Sequence, residues 1–106
     1  CIDPFVWIDA QGWSHVLLHG SYCECGHHYA SADGLHWDKS AGNAYSNVVE
    51  WQNGSTTTLV RRERPQLHFG TNGEPTHLLT GAVDQGRPSG DSYTLLQRIN
   101  TSATGW

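Results

Sequence analysis

The sequence is short of basic residues, of long apolar runs and of helical periodicity, and each shortage removes a class of protein. Lysine and arginine number six against ten acidic residues, and the net charge is −4. The only basic cluster is Arg61, Arg62 and Arg64, and Glu63 sits inside it. A phosphate backbone calls for a continuous basic face, so nucleic acid is not an expected partner. No apolar run approaches the length of a membrane-crossing helix, and no membrane partner is expected. Neither a Gly-rich phosphate loop nor a Gly-x-Ser-x-Gly nucleophile motif occurs. No targeting segment is legible and the chain opens on Cys1 rather than Met. The expectation is therefore a mature product or a piece of a longer chain.

What is present is aromatic, histidine-rich and turn-rich. Apolar residues make up only 37% of the 106 positions, so the core of one domain depends on five Trp, four Tyr and two Phe. The three cysteines are Cys1, Cys23 and Cys25. Cys23 and Cys25 are too close for an easy mutual bridge, and a bond from Cys1 to one of them is expected. Glycosylation acceptors stand at Asn53 (Asn-Gly-Ser) and Asn100 (Asn-Thr-Ser). With the cysteines and the single Lys39, they point to a secreted, extracellular glycoprotein.

A weak internal repeat organises the chain. Shifting by 61 positions pairs Pro4 with Pro65, Val6 with Leu67, Ile8 with Phe69 and Gly12 with Gly73. The same shift pairs Leu17 with Leu78, Leu18 with Leu79 and Gly20 with Gly81. Each copy reads as an acid, a proline, an alternating strand, a Gly turn and a second strand. Strands are expected over 4–8, 13–19, 27–31 and from 35–38, with Asp33-Gly34 as a hairpin turn. After a connector, 45–51 and 56–60 read as a hairpin around Asn53-Gly54. Further strands are expected over 65–69, 76–82 and 92–99. Short-strand repeats of this length mark β-propeller blades. The predicted fold is all-β, with antiparallel four-stranded blades of propeller type. There are about two of them, over residues 1–44 and 45–106. A ring closes only with about four or more blades. The missing part is then the rest of a longer chain or copies of itself, unless the two sheets pack as a small sandwich or an open filament subunit.

The segments Ile2-Asp3-Pro4, Glu63-Arg64-Pro65 and Ser31-Ala32-Asp33-Gly34-Leu35-His36-Trp37 together resemble the later blades of family 43 glycoside hydrolases, which are five-bladed propellers. The resemblance implies a site of three carboxylates acting on a polysaccharide or oligosaccharide. Carried over by position, Glu63 is the general acid and Asp3 orients the substrate and tunes that acid. The family's general base lies in an earlier blade and has no counterpart here. Members often hold an axial His that binds an ion or a water, a place that His28 or His77 would fill. Trp7, His28, His77 and Arg64 make up the expected substrate-binding set, with Trp faces suited to stacking on a sugar ring. No cofactor is expected beyond a single ion near the axis. Cys23-Glu24-Cys25-Gly26-His27-His28 gathers metal-type ligands, but the spacing matches no zinc module and no metal is assigned to it. The competing expectation is a non-catalytic extracellular structural module that assembles through its open sheet edges.

Overall fold

The computed structural model describes residues 2–20, 22–84 and 91–99. The described residues form strands and turns and no helix. The first sheet contains β1 (Ile2–Ile8), β2 (Ser14–His19), β3 (Gly26–Ser31) and β4 (Asp38–Lys39). The second contains β5 (Val48–Glu50), β6 (Thr56–Phe69), β7 (Pro75–Asp84) and β8 (Tyr93–Arg98). Strand order follows chain order in both sheets, and every pairing is antiparallel. The chain is thus all-β, built as two four-stranded blades of the propeller type.

Side chains in the turns set the strand boundaries. Asp9 ends β1 by accepting the N–H of Gln11 at 2.9 Å and of Trp13 at 3.0 Å, and Gly12 takes the left-handed φ of 86° that the turn requires. The fourth strand is later and shorter than the sequence suggests. Asp33 captures the N–H groups of Leu35 and His36, each at 2.8 Å, so residues 35 and 36 have no donors left for a ladder. Those bonds, with the His36 side chain, hold the Asp33 carboxyl well below its ordinary pKa.

Two further expectations are corrected. The segments 56–60 and 65–69 are one continuous strand, β6, which pairs with β7 on both sides of an irregularity between Glu63 and Gln66. The continuity of the β7 partner keeps the strand together although Pro65 offers no donor. Tyr45 stands outside the predicted hairpin and bridges to Gly26 instead. The bridge is made by Gly26 N–H to Tyr45 O at 3.0 Å and Ala44 N–H to Gly26 O at 2.7 Å. It ties the connector between the sheets to β3. A methyl group at Gly26 would overlap the Tyr45 ring, which lies flat on the glycine.

The repeat survives in the backbone of its first strand. The ladder is interrupted between Ile2 and Phe5 and again between Glu63 and Gln66. In each bulge the residue before the proline is left-handed, Asp3 at φ 58° and Arg64 at φ 55°. By position Asp3 therefore matches Arg64, and Glu63 matches Ile2. The second strand departs from the simple shift. Ile2 pairs with His19 but Glu63 with Gly81, one residue later than the repeat predicts. An unpaired Thr76 between the partners of His68 and Phe69 absorbs the extra residue.

The sheets stack front to back. Phe5, Trp7 and Leu17 of the first sheet meet Leu67, Phe69 and Leu78 of the second, with Tyr45 in the same cluster. The matched positions face the other way. Gln66 and His68, the counterparts of Phe5 and Trp7, are exposed. Val6 and Ile8, the counterparts of Leu67 and Phe69, are 61% and 70% exposed. The second sheet also curls around a core of its own, Val49, Leu59, Ala82 and Leu95.

The expected bridge from Cys1 is also corrected. The sulfur atoms of Cys23 and Cys25 lie at bonding distance, with Cα atoms 5.1 Å apart, so the turn before β3 closes on itself. That Cα separation is ordinary for a disulfide, and spacing along the chain was a poor guide to it. Cys1 lies outside the described residues, as does the acceptor Asn100. Asn53 is exposed at a turn, where its side-chain oxygen accepts the Ser55 N–H at 2.9 Å.

Candidate functional site

Two polar centres occupy opposite ends of the first sheet. The first is built at the start of β1. Pairing of Ile2 with His19 sets Asp3 beside the end of β2, and the bulge in β6 turns Glu63 toward the same point. One donor atom each from Asp3, His19 and Glu63 lie within 4.8 Å of one another. The His19 side chain is only 9% exposed, and among the described residues neither ring nitrogen has a hydrogen-bond partner. Its Nε2 lies 3.5 Å from Oε1 of Glu24. Glu24 is held there because that same oxygen accepts the Arg62 N–H at 2.9 Å, and because the bonded Cys23 and Cys25 flank it.

Beneath this centre lies a buried cation. Arg62 is 2% exposed. It donates to Thr80 Oγ1 at 3.2 Å, Ser46 O at 2.7 Å and Gln97 Oε1 at 2.8 Å. It also lies 4.8 Å from the centre of the Tyr45 ring. Burial lowers its pKa. As strand alternation predicts, Arg62 turns away from Glu63. The Tyr45 phenol is pushed well above its usual pKa, first by burial and further by Glu24, Asp3 and Glu63, with Arg62 opposing. All three carboxylates are thus within electrostatic reach of one buried phenol. Asp3 and Glu63 are also too close for a pair that straddles an attacking water, which stands about 6.5–9.5 Å apart.

The second centre is a row of side chains across all four strands. Asp9 Oδ2 lies 2.8 Å from His15 Nε2, His15 Nδ1 lies 2.9 Å from His28 Nε2, and His28 Nδ1 lies 2.5 Å from Ser40 Oγ. With both rings neutral, one assignment satisfies every bond. Ser40 O–H donates to His28, His28 N–H to His15, and His15 N–H to Asp9. Burial, then the nearby His15, pushes His28 down to about 4, and the His15 bond lowers Asp9. Trp7 stacks on His15 at 4.8 Å and on His28 at 5.7 Å. The row lines a cleft of about 360 Å³ that Gly73, Glu74 and Pro75 close from the second sheet.

The residues expected to form one site are therefore distributed. Asp3 and Glu63 meet. Trp7 and His28 are at the far end of the sheet, in the hydrogen-bonded row. His77 packs edge-on against His68, with ring centres 5.8 Å apart, and its Nδ1 lies 2.9 Å from Thr76 Oγ1. Arg64 lines a separate cleft with Gln66, Thr80, Gly81 and Tyr93. The sequence reading missed His19, Glu24, Asp9, His15 and Ser40. Only cross-strand register brings these residues together, and no local spacing carries that signal. Of two clusters of metal-type donors, that of Cys23, Cys25 and His27 has both its sulfurs in the Cys23–Cys25 disulfide, so no thiolate is left for a soft cation. Asp3, His19 and Glu63 retain free donor atoms.

No family model, curated protein or solved structure matches this chain.

Proposed function

We propose that the Asp3–Glu63 centre is a carbohydrate site of the glycoside hydrolase type, similar to that of family 43, in a secreted protein. Glu63 is the proton donor and Asp3 orients the sugar. Glu24, across His19, supplies the third carboxylate that a hydrolysing site of this kind uses and is the candidate to activate water. The single observation behind this is the convergence of two bulged, proline-marked strand segments, which brings the Asp3 and Glu63 carboxylates within 4.8 Å. The test is reducing-sugar release and affinity electrophoresis on a panel of plant and microbial polysaccharides. Glu63→Gln should keep binding and lose about 100-fold or more in rate. An unchanged rate in that variant would remove Glu63 from the role.

A second reading is favoured by a different observation. The front-to-back stacking covers Leu67 and Phe69, whereas their counterparts Val6 and Ile8 on edge strand β1 are exposed, together with Ile2. In a head-to-tail array that face meets the outer face of a neighbour's second sheet, which carries Gln66 and His68, so copies of the chain would form a ring or a filament. Light scattering should detect oligomers that Val6→Glu with Ile8→Lys disperses. A monomer at every concentration defeats this assembly.

A further inference from the structure

We infer that Asp3, His19 and Glu63 form a binding site for one divalent cation of the zinc and manganese class. Two carboxylates in proximity do not make such a site, since exposed acids often gather without a ligand. The second observation is His19. Its side chain is more than nine-tenths buried, and neither ring nitrogen is hydrogen-bonded among the described residues. A buried polar group without a partner costs roughly 1–3 kcal/mol. At the other end of the same sheet, by contrast, both nitrogens of His15 and both of His28 are engaged. At His19 neither nitrogen is hydrogen-bonded, Nε2 faces Glu24 at 3.5 Å, and a donor atom of the ring lies within 4.8 Å of both carboxylates.

The donor chemistry selects the cation. Calcium and magnesium prefer all-oxygen shells. One imidazole with carboxylates suits zinc or manganese, with zinc the tighter of the two. Ligand atoms about 2.0–2.2 Å from a tetrahedral zinc stand roughly 3.4 Å apart, inside the 4.8 Å that bounds these three, and the Asp3 and Glu63 side chains that carry two of them are only half-buried. Glu24, 3.5 Å from His19 Nε2, is the adjacent carboxylate able to complete the shell or to receive the ring N–H. One consequence rests on the sugar-site reading above. A cation on Asp3 and Glu63 takes up the two carboxylates that reading assigns to the sugar, so cation and sugar meet at one centre.

Chelator-treated protein titrated with Mn²⁺ tests the site, since the paramagnetic resonance signal of free Mn²⁺ disappears on binding. One Mn²⁺ should bind per chain, Zn²⁺ should displace it, and Ca²⁺ should not. His19→Gln and, separately, Asp3→Asn should each weaken binding about 10-fold or more, while His36→Gln, an exposed histidine elsewhere, should leave it unchanged. Far-ultraviolet circular dichroism checks the fold, and Asp3→Asn decides the matter should His19→Gln not fold. Absence of Mn²⁺ binding, or equal binding in wild type and a folded Asp3→Asn or His19→Gln variant, overturns the site. Equal loss in His36→Gln overturns it as well. Polysaccharide binding measured with and without Mn²⁺ keeps the two readings apart. Sugar bound without any cation site sinks only this inference, and a cation bound with no sugar sinks only the carbohydrate reading.

Discussion

The two ends of the first sheet treat buried histidine in opposite ways. At the Asp9 end, His15 and His28 belong to a chain in which each donor finds an acceptor, from Ser40 through two rings to a carboxylate. At the Asp3 end, His19 is as deeply buried but has no hydrogen bond among the described residues, and its Nε2 meets Glu24 only at ion-pair distance, 3.5 Å. The first end spans the strands from the close of β1 to the residue after β4 and acts as a brace across the sheet. The second carries a local deficit at the junction of the sheets. Buried polar groups are normally paired, and a deficit of this kind calls for an explanation. The lesson is that a row of hydrogen-bonded histidines and a lone histidine mean different things, even on one sheet.

Four experiments break or sharpen this contrast. The largest effect is expected where both ends depend on one joint. Gly26→Ala places a methyl group in the Tyr45 ring and pries the sheets apart. Urea unfolding should show a loss of about 3 kcal/mol or more, and a loss under about 1 kcal/mol would mean the junction yields easily.

Acid comes next. His28 is pushed from its ordinary 6.5 down to about 4 in the folded state. The unfolded chain therefore binds the extra proton first. The stability associated with neutral His28 is complete above pH 6.5 and is lost as pH falls toward 4, by roughly 3 kcal/mol at most. His27, lowered by burial and by Lys39, acts in the same direction. A melting temperature that stays flat from pH 7 to 4 would contradict the brace.

Deleting the middle of the row is a smaller perturbation. His15→Ala strips the partners from Asp9 Oδ2 and His28 Nε2 and should cost about 2 kcal/mol. The smallest change is expected at the opposite end. His19→Leu removes two unpaired polar atoms and should alter stability by less than about 1 kcal/mol, or raise it. If His19→Leu costs as much as His15→Ala, the two ends are alike and the contrast fails.

Some of this was legible in the residues alone. Alternation and turn chemistry at Asp9 and Gly12 located β1 and β2, and Asp33-Gly34 located a turn whose reach was underestimated. Asp33 takes two backbone donors that strand β4 would otherwise have used. The repeat pointed to both proline-marked segments, although the second lies inside β6 rather than at a strand start, and it aligned Asp3 with Arg64 rather than with Glu63. The meeting of Asp3 and Glu63 depends on how one sheet seats on the other, which no offset encodes. Trp7 and His28 were chosen for the wrong neighbourhood, since four residues along a strand is about 13 Å. The histidine that does sit with the carboxylates, His19, has nothing in its local sequence to distinguish it from the other six.

By itself the sequence determined an all-β chain and the place and turns of most of its strands. These follow from local rules: side-chain alternation, turn chemistry and the fixed φ of proline. The tertiary structure alone decided the Cys23–Cys25 bond, the late register of β7, the outward face of Val6 and Ile8, and the company that each histidine keeps. Those depend on which strands lie side by side and how far each slips. A slip of one residue reverses the direction of every side chain, so no local rule can supply them.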